Sequence, residues 1–218
     1  MTFRRLRILL LLGVLAAALG FTWMEQSMVR AWRVPLDVAV VPINGDGSAQ
    51  AAQTIRTLRA SDFHDINAFL ERETARYGAK QSSALQISLL PELKEKPPAP
   101  PRDGSVLKTV FWSLKLRGWV YRQSGQWLPQ LGKIKLFVLY HAPRDGIALD
   151  HSLGLRKGLI GVVHAFADPR QTRQNNIVIA HELLHTLGAT DKYDADQAFP
   201  QTQRMVRSEE HTSELQSP

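Results

Sequence analysis

Two histidines separated by three residues place the strongest constraint on how this chain can fold. The stretch from Asn176 to Tyr193 reads NIVIAHELLHTLGATDKY, with His181 and His185 four positions apart and Glu182 directly after the first. On a helix, positions i and i+4 project from one face about one turn apart, so two imidazoles can bind one ion. The pattern H-E-x-x-H therefore predicts a helix that carries a zinc site. Glu182 would lie at the flank of that site, in the position of a general base.

The residues around the motif favour a buried helix that ends in a turn. Two histidines and a glutamate on a buried helix would be costly without a ligand. Gly188 follows His185 by three positions, where a glycine allows a positive φ and lets the chain fold back toward the metal. The apolar neighbours on which this prediction depends are Ile177, Val178, Ile179, Leu183, Leu184 and Leu187.

The full string H-E-L-L-H-T-L-G-A-T-D resembles the extended zinc signature of the metzincin clan of metalloproteases, H-E-x-x-H-x-x-G-x-x-H/D. It is similar to the less common variant of snapalysin-type secreted proteases, which has aspartate as the third ligand. The resemblance covers about a dozen residues. It implies zinc bound by His181, His185 and Asp191, with Glu182 as base and acid. It also implies a zincin/metzincin-like mixed sheet beside the active-site helix and a methionine turn beneath the zinc, which is not identifiable here.

Several other residues are weaker candidates for the same site. Tyr193 is placed to approach the zinc or an oxyanion, although a tyrosine just past a helix is more often a packing residue. Asp194 is an alternative third ligand, and His164 is a less favoured one. By the family resemblance and the physics of strand addition, Gly161–Ala165 are expected to form the cleft edge along which an extended peptide binds.

The N-terminus carries the pattern of a membrane-targeting segment. Arg4, Arg5 and Arg7 precede an apolar run from Ile8 to Met24. The run is at the lower length limit for a spanning helix and slightly above that of a usual signal region, so residues 1–24 are expected to be a signal peptide or a membrane anchor. The preceding arginines place the N-terminus in the cytoplasm, and the rest of the chain is expected to be exported, either anchored to the inner membrane facing the periplasm or secreted.

The remaining chain divides into a connector, one catalytic domain and a tail. Residues 25–35 are the connector, and residues 36–206 are expected to form a metzincin-like domain that is incomplete at its C-terminus. Residues 207–218, RSEEHTSELQSP, resemble the translated read-through of a common sequencing adapter and are interpreted as an artefact. No residue of this tail is a site candidate.

Hydrophobic periodicity predicts an α/β fold, in the wider α+β sense of a mixed sheet covered by helices. Short β-branched runs predict strands, and longer periodic segments predict helices, with Ser61 or Asp62 as cap of the second helix and Thr172 as cap of the motif helix. The strands are expected at 36–43, 85–90, 134–140 and 158–167. The helices are expected at 48–58, from 61 or 62 to 77, at 106–121 and at 173–187.

Composition narrows the class of function. The formal net charge is +7, but the basic residues are scattered without the interleaved aromatics of a nucleic-acid groove, so nucleic acid is not an expected partner. The chain has no cysteine, which excludes cysteine-based catalysis and fits an exported protein. Together with the resemblance to the metzincin signature, these features predict an exported zinc-dependent metallopeptidase that acts on peptides or proteins. The alternative is a non-catalytic zincin-like domain that binds peptide or envelope partners.

Overall fold

A five-stranded mixed sheet forms the centre of the molecule. The computed structural model describes residues 3–30, 35–76, 84–101, 105–124, 133–144, 149–155 and 158–190. The sheet has the order β2-β1-β3-β5-β4, in which the first four strands are parallel and β4 is antiparallel to β5. The strands are β1 (Leu36–Asn44), β2 (Leu85–Leu89), β3 (Ile134–His141), β4 (Leu153–Leu155) and β5 (Ile160–Phe166). The predicted α/β class with a mixed sheet is confirmed.

The described residues include five α-helices. The helices are α1 (Phe3–Arg30), α2 (Ala49–Thr57), α3 (His64–Arg76), α4 (Val106–Ser124) and α5 (Thr172–Leu187). Short 3-10 helices at Ala60–Phe63 and Pro169–Gln171 lead into α3 and α5. The Ser48 side chain accepts a hydrogen bond from the Ala51 N–H and so caps α2 at its predicted start.

Helices cover both faces of the sheet. On one face, buried side chains of α2, α3 and α5 pack against alternate residues of the strands, among them Val38, Val138 and Val163. On the other face, α4 packs Trp112, Leu116, Trp119 and Val120 against the residues between them in the strands. This alternation is the period of two of a β-strand, and it gives a three-layer arrangement with α4 and α5 on opposite sides.

The strand β4 was not predicted from the sequence, and it changes which strand forms the edge of the sheet. Gly161–Ala165 belong to β5, which is an inner strand, because β3 pairs along one side of it and β4 along the other. The edge strand is β4, only three residues long, in which Gly154 pairs with Gly161. The prediction that Gly161–Ala165 form the exposed edge is therefore wrong, and β4 takes that place.

The helix starts also differ from the prediction at two positions. Thr172 does not cap the motif helix, because the chain already turns at Asp168, whose side chain accepts from the Arg170 N–H at 2.9 Å. Before α3, Asp62 lies inside the first turn and accepts from the Arg59 N–H at 2.8 Å. In both cases a carboxylate satisfies an N–H group at the start of a helix, one short 3-10 turn earlier than expected.

The solvent-facing side of α4 carries apolar side chains. Helical spacing alone did not predict that these side chains would be exposed. Of the residues that predicted this helix, Trp119 is buried, whereas Val110, Phe111 and Leu114 are 51%, 73% and 56% exposed. In α3, Phe69 is also partly exposed, while its neighbours Phe63, Ile66 and Leu70 are buried. Periodicity locates an apolar stripe but does not say whether the stripe faces the sheet.

The N-terminal segment folds as the helix α1. Within the described residues, no helix combines the length and the apolar character that crossing a membrane requires.

Candidate metal centre

The two motif histidines converge on one point beside α5. The Nε2 atoms of His181 and His185 are 3.0 Å apart, and the two rings are nearly perpendicular, with centroids 4.5 Å apart. Two imidazole nitrogens on one tetrahedral zinc ion would stand about 3.3 Å apart, so only a small adjustment separates this pair from ligand geometry. The same spacing also allows one ring to donate a hydrogen bond to the other. The predicted shared face of His181 and His185 is confirmed.

The Glu182 side chain extends from α5 toward the edge strand β4. The residue is only 6% exposed, and its carboxylate is directed toward β4. A Cβ atom added at Gly154 would lie 2.5 Å from the Glu182 carbonyl oxygen, 2.6 Å from His185 Cβ and 3.3 Å from Glu182 Oε2. Only glycine therefore allows β4 to approach the motif this closely. Gly154 was not among the predicted site residues, because nothing in its local sequence indicates this contact.

Asn175 fixes the start of α5 against the end of β5. Its Oδ1 accepts from the Phe166 N–H and its Nδ2 donates to the Phe166 carbonyl, both at 2.9 Å. The neighbouring Asn176 donates to the Asp62 carbonyl at 2.7 Å and joins α5 to the start of α3. Both asparagines are buried, and both were absent from the sequence-based set of functional residues. They hold the helix that carries the two histidines.

The end of α5 has the predicted turn. Gly188 has a φ of 101°, which confirms the positive-φ exit expected after the motif. The expected third ligand, Asp191, and the alternatives Tyr193 and Asp194 lie outside the described residues, as does the tail 207–218. Within the described residues, no group of three or more histidine or acidic side chains is arranged to hold a metal ion. The described part of the centre is thus two imidazoles and an adjacent carboxylate.

A cavity lies away from the motif. It has a volume of about 250 Å³ and sits near the carboxyl ends of β3 and β5, where Tyr140, Asp62 and Asp168 contribute to its lining. Burial, with a smaller contribution from the charge of Asp62, raises the pKa of the Tyr140 hydroxyl well above its usual range. Neither motif histidine lines this cavity, which is therefore separate from the candidate centre at α5.

His164 pairs with another histidine on the opposite face of the sheet from α5. Its Nδ1 is 3.0 Å from His141 Nε2, and the rings stack at an interplanar angle of 29°. The neighbours of His164 along β5, Val163 and Ala165, pack in the cluster that includes α5, so His164 itself points to the α4 side. His164 is therefore not a ligand at the motif, and its pairing with His141 was not predicted.

The electrostatics of this second pair oppose protonation. Burial is the main cause that lowers the pKa of His141 and of His164, and the charge of His141 lowers the pKa of His164 further. Burial would raise the pKa of Asp46 nearby, but hydrogen bonds from Ser48 and from the Ala142 N–H, together with the charge of His141, lower it to about 2. The pair therefore favours two neutral rings joined by one N–H···N bond.

No protein-family model matches the chain, and no curated protein or solved structure is significantly similar to it.

Proposed function

We propose that the protein is a zinc-dependent metallopeptidase whose metal is held by His181, His185 and Asp191. The observation that carries this proposal is the convergence of the two Nε2 atoms, 3.0 Å apart, with the carboxylate of Glu182 on the same helix. The positive φ of Gly188 also supports it, because the signature expects a turn at this glycine, before the third ligand. The resemblance to the metzincin signature supplies the reaction class, and metzincin-like architecture is part of the same proposal.

Each described residue has a distinct role in this proposal. His181 and His185 present imidazole nitrogens from one helical face and so fix two ligand positions before any ion arrives. Bound zinc supplies Lewis acidity, which acidifies water and polarises a peptide carbonyl. Glu182 takes the proton of the attacking water and passes it to the leaving amine. Its burial keeps the carboxylate away from bulk solvent, beside Gly154 of β4.

The edge strand β4 is the surface that fits an extended peptide. One side of β4 is paired with β5, and Gly154 brings the strand into direct contact with α5 next to Glu182. A peptide that adds along the side of β4 on which no described strand pairs would run past the motif with its backbone in hydrogen-bonding register. The peptide or protein substrate is therefore expected to bind as an additional strand, with no specificity implied for its side chains.

Zinc content and peptide hydrolysis, measured on matched variants, test the proposal. The wild-type chain should bind one zinc ion and hydrolyse an unstructured protein such as casein. Glu182→Gln should keep the zinc and lose at least about 100-fold in rate, because only the proton transfer is removed. His185→Ala should lose both. Hydrolysis by Glu182→Gln at the wild-type rate would overturn the assigned base, and a wild-type chain without zinc would overturn the metal site.

The cellular location belongs to the same proposal. We expect the chain to act outside the cytoplasm, with residues 1–24 as a signal or an anchor, on the basis of the arginines and apolar run at its N-terminus. Cell fractionation of the full chain with a C-terminal tag tests this expectation. Recovery of the tagged chain only in the soluble cytoplasm would contradict it.

A further inference from the structure

The helix α4 presents a continuous apolar surface to solvent. Its outward residues recur at helical spacing and are between 45% and 73% exposed, although all are large and apolar or aromatic. We call this surface the α4 stripe; its members are Leu107, Val110, Phe111, Leu114 and Tyr121. Single exposed apolar residues are ordinary, but a contiguous row of them on one helix face marks an interaction site.

The charges beside the stripe are of one sign. Lys108, Lys115 and Arg122 are exposed along one flank, and Arg117 lies on the other. The 19 residues of α4 include no aspartate or glutamate. An apolar face bordered by lysine and arginine is the arrangement of helices that lie in the interface of an anionic membrane.

A groove continues the stripe and adds a second feature of the same chemistry. Pro98, Ala99 and Pro101 form one wall, and Phe111 and Trp112 contribute to the other, around a space of about 450 Å³. The Trp112 Nε1–H donates to the Pro98 carbonyl at 2.7 Å and so fixes the proline-rich loop against α4. The two lysines of the basic flank that line the groove, Lys108 and Lys115, place ammonium groups beside its apolar wall. A phosphate headgroup with attached hydrocarbon matches that combination.

We propose that α4 docks on the surface of an anionic phospholipid bilayer. The α4 stripe enters the region between headgroups and acyl chains, while Lys108, Lys115 and Arg122 lie at the level of the phosphates. A second copy of this chain fits the surface less well, because joining two stripes would bring the cations of two α4 helices together with no acidic residue on either helix. Since α4 and α5 lie on opposite faces of the sheet, docking leaves the candidate metal centre turned away from the lipid.

The test reports the environment of α4 itself, so attachment of the chain through its N-terminus alone does not produce the expected signal. The sequence has no cysteine, which allows a single one to be introduced and labelled with an environment-sensitive fluorophore. Leu114→Cys places the label in the stripe, and Ala60→Cys places it on an exposed residue near α3. Vesicles of phosphatidylcholine with phosphatidylglycerol are compared with phosphatidylcholine alone, each with a quencher in the acyl chains.

The label at position 114 should move to shorter wavelength and be quenched on the anionic vesicles, while the label at position 60 stays in water. Lys108→Glu with Lys115→Glu should raise the lipid concentration needed for that change by at least about tenfold. Arg56→Glu with Arg173→Glu changes the net charge equally, on exposed residues of α2 and α5, and should have little effect.

Three outcomes would overturn the proposal. The label at position 114 would remain aqueous on anionic vesicles, it would respond no more than the label at position 60, or it would respond without lipid as protein concentration rises. The last result would identify a second copy as the occupant. Because the exchanged lysines are exposed, circular dichroism should show the same fold for all variants; if the double variant fails to fold, Lys115→Gln alone provides the charge comparison.

Discussion

Gly154 defines the candidate centre through the absence of a side chain. It sits in β4 where the strand contacts α5, and the nearest atoms belong to Glu182 and His185. The shared helical face of His181 and His185 could be predicted because four-residue spacing on a helix is local information. Gly154 could not, because its importance depends on a strand and a helix that meet only after folding. Asp191 stays a prediction from the signature.

Adding one methyl group at Gly154 should disturb the centre more than the stability of the fold. The new Cβ would lie 2.5 Å from the Glu182 carbonyl oxygen, so Gly154→Ala must move β4 away from α5. We expect zinc affinity and the rate of peptide hydrolysis to fall by about 10- to 100-fold. This is the usual effect of substituting residues that orient metal ligands. Competition with a chromogenic chelator measures the affinity.

A matched control for that substitution is Gly118→Ala in α4, where an added Cβ meets nothing within 4 Å. Alanine there should leave zinc affinity unchanged and slightly stabilise the helix. If Gly154→Ala and Gly118→Ala give the same zinc affinity and the same rate of hydrolysis, the close contact between β4 and α5 does not matter to the centre.

At the scale of whole elements, hydrophobic periodicity predicted the bounds of α4 and α5 well. It predicted less well which of their side chains face the sheet. The bounds of α4 were expected at 106–121 and are Val106–Ser124, yet its exposed stripe contains most of the residues on which the prediction was based. In α5, Ile177 was expected to be buried and is 42% exposed. The strand β4 was missed because three residues give no readable alternation. Which face a helix turns to the sheet depends on tertiary packing that one sequence does not reveal.

The attachment of α5 to β5 depends on a single side chain. Asn175→Ala would remove both hydrogen bonds to Phe166 and leave its backbone N–H and carbonyl without these partners in a half-buried position. We expect the free energy of unfolding to fall by about 1–3 kcal/mol, measured by urea denaturation. Arg173→Ala, an exposed position on the same turn, should change it by less than about 0.5 kcal/mol. Equal effects of the two substitutions would show that the Asn175 bridge does not hold the helix.

At the scale of the whole molecule, the carboxyl ends of three parallel strands meet at a pair of neutral histidines. Gly45, directly after β1, contacts the His141 ring so closely that an added Cβ would overlap it, and His141 in turn stacks on His164 of β5. The His164 N–H donates to Ser152 Oγ at 3.0 Å, which joins the segment before β4 to the same end of the sheet. Protonation of this pair therefore acts on the central strands of the fold.

The stability of the molecule should decrease as pH falls below about 6.5, the ordinary histidine pKa in an unfolded chain. Because burial lowers the pKa of both rings in the folded state, the unfolded chain binds protons first as the pH falls. The free energy of unfolding therefore rises with pH between the folded-state and the unfolded-state pKa values of these histidines. The charged groups that act on His141 do not reverse this direction. Asp46 and Asp150 raise its pKa, while Lys96 and Arg144 lower it.

Chemical denaturation at pH 7.5 and pH 5.5 measures the difference in the free energy of unfolding. Both pH values lie above the range in which carboxylates ordinarily titrate. His141→Gln removes one titrating ring and the repulsion that it exerts on His164, so the loss of stability between the two pH values should be smaller than in the wild-type chain. His64→Gln replaces an exposed histidine at the start of α3 and should leave the loss unchanged. If His141→Gln loses as much stability as the wild type, the buried pair is not the group that makes the fold sensitive to acid.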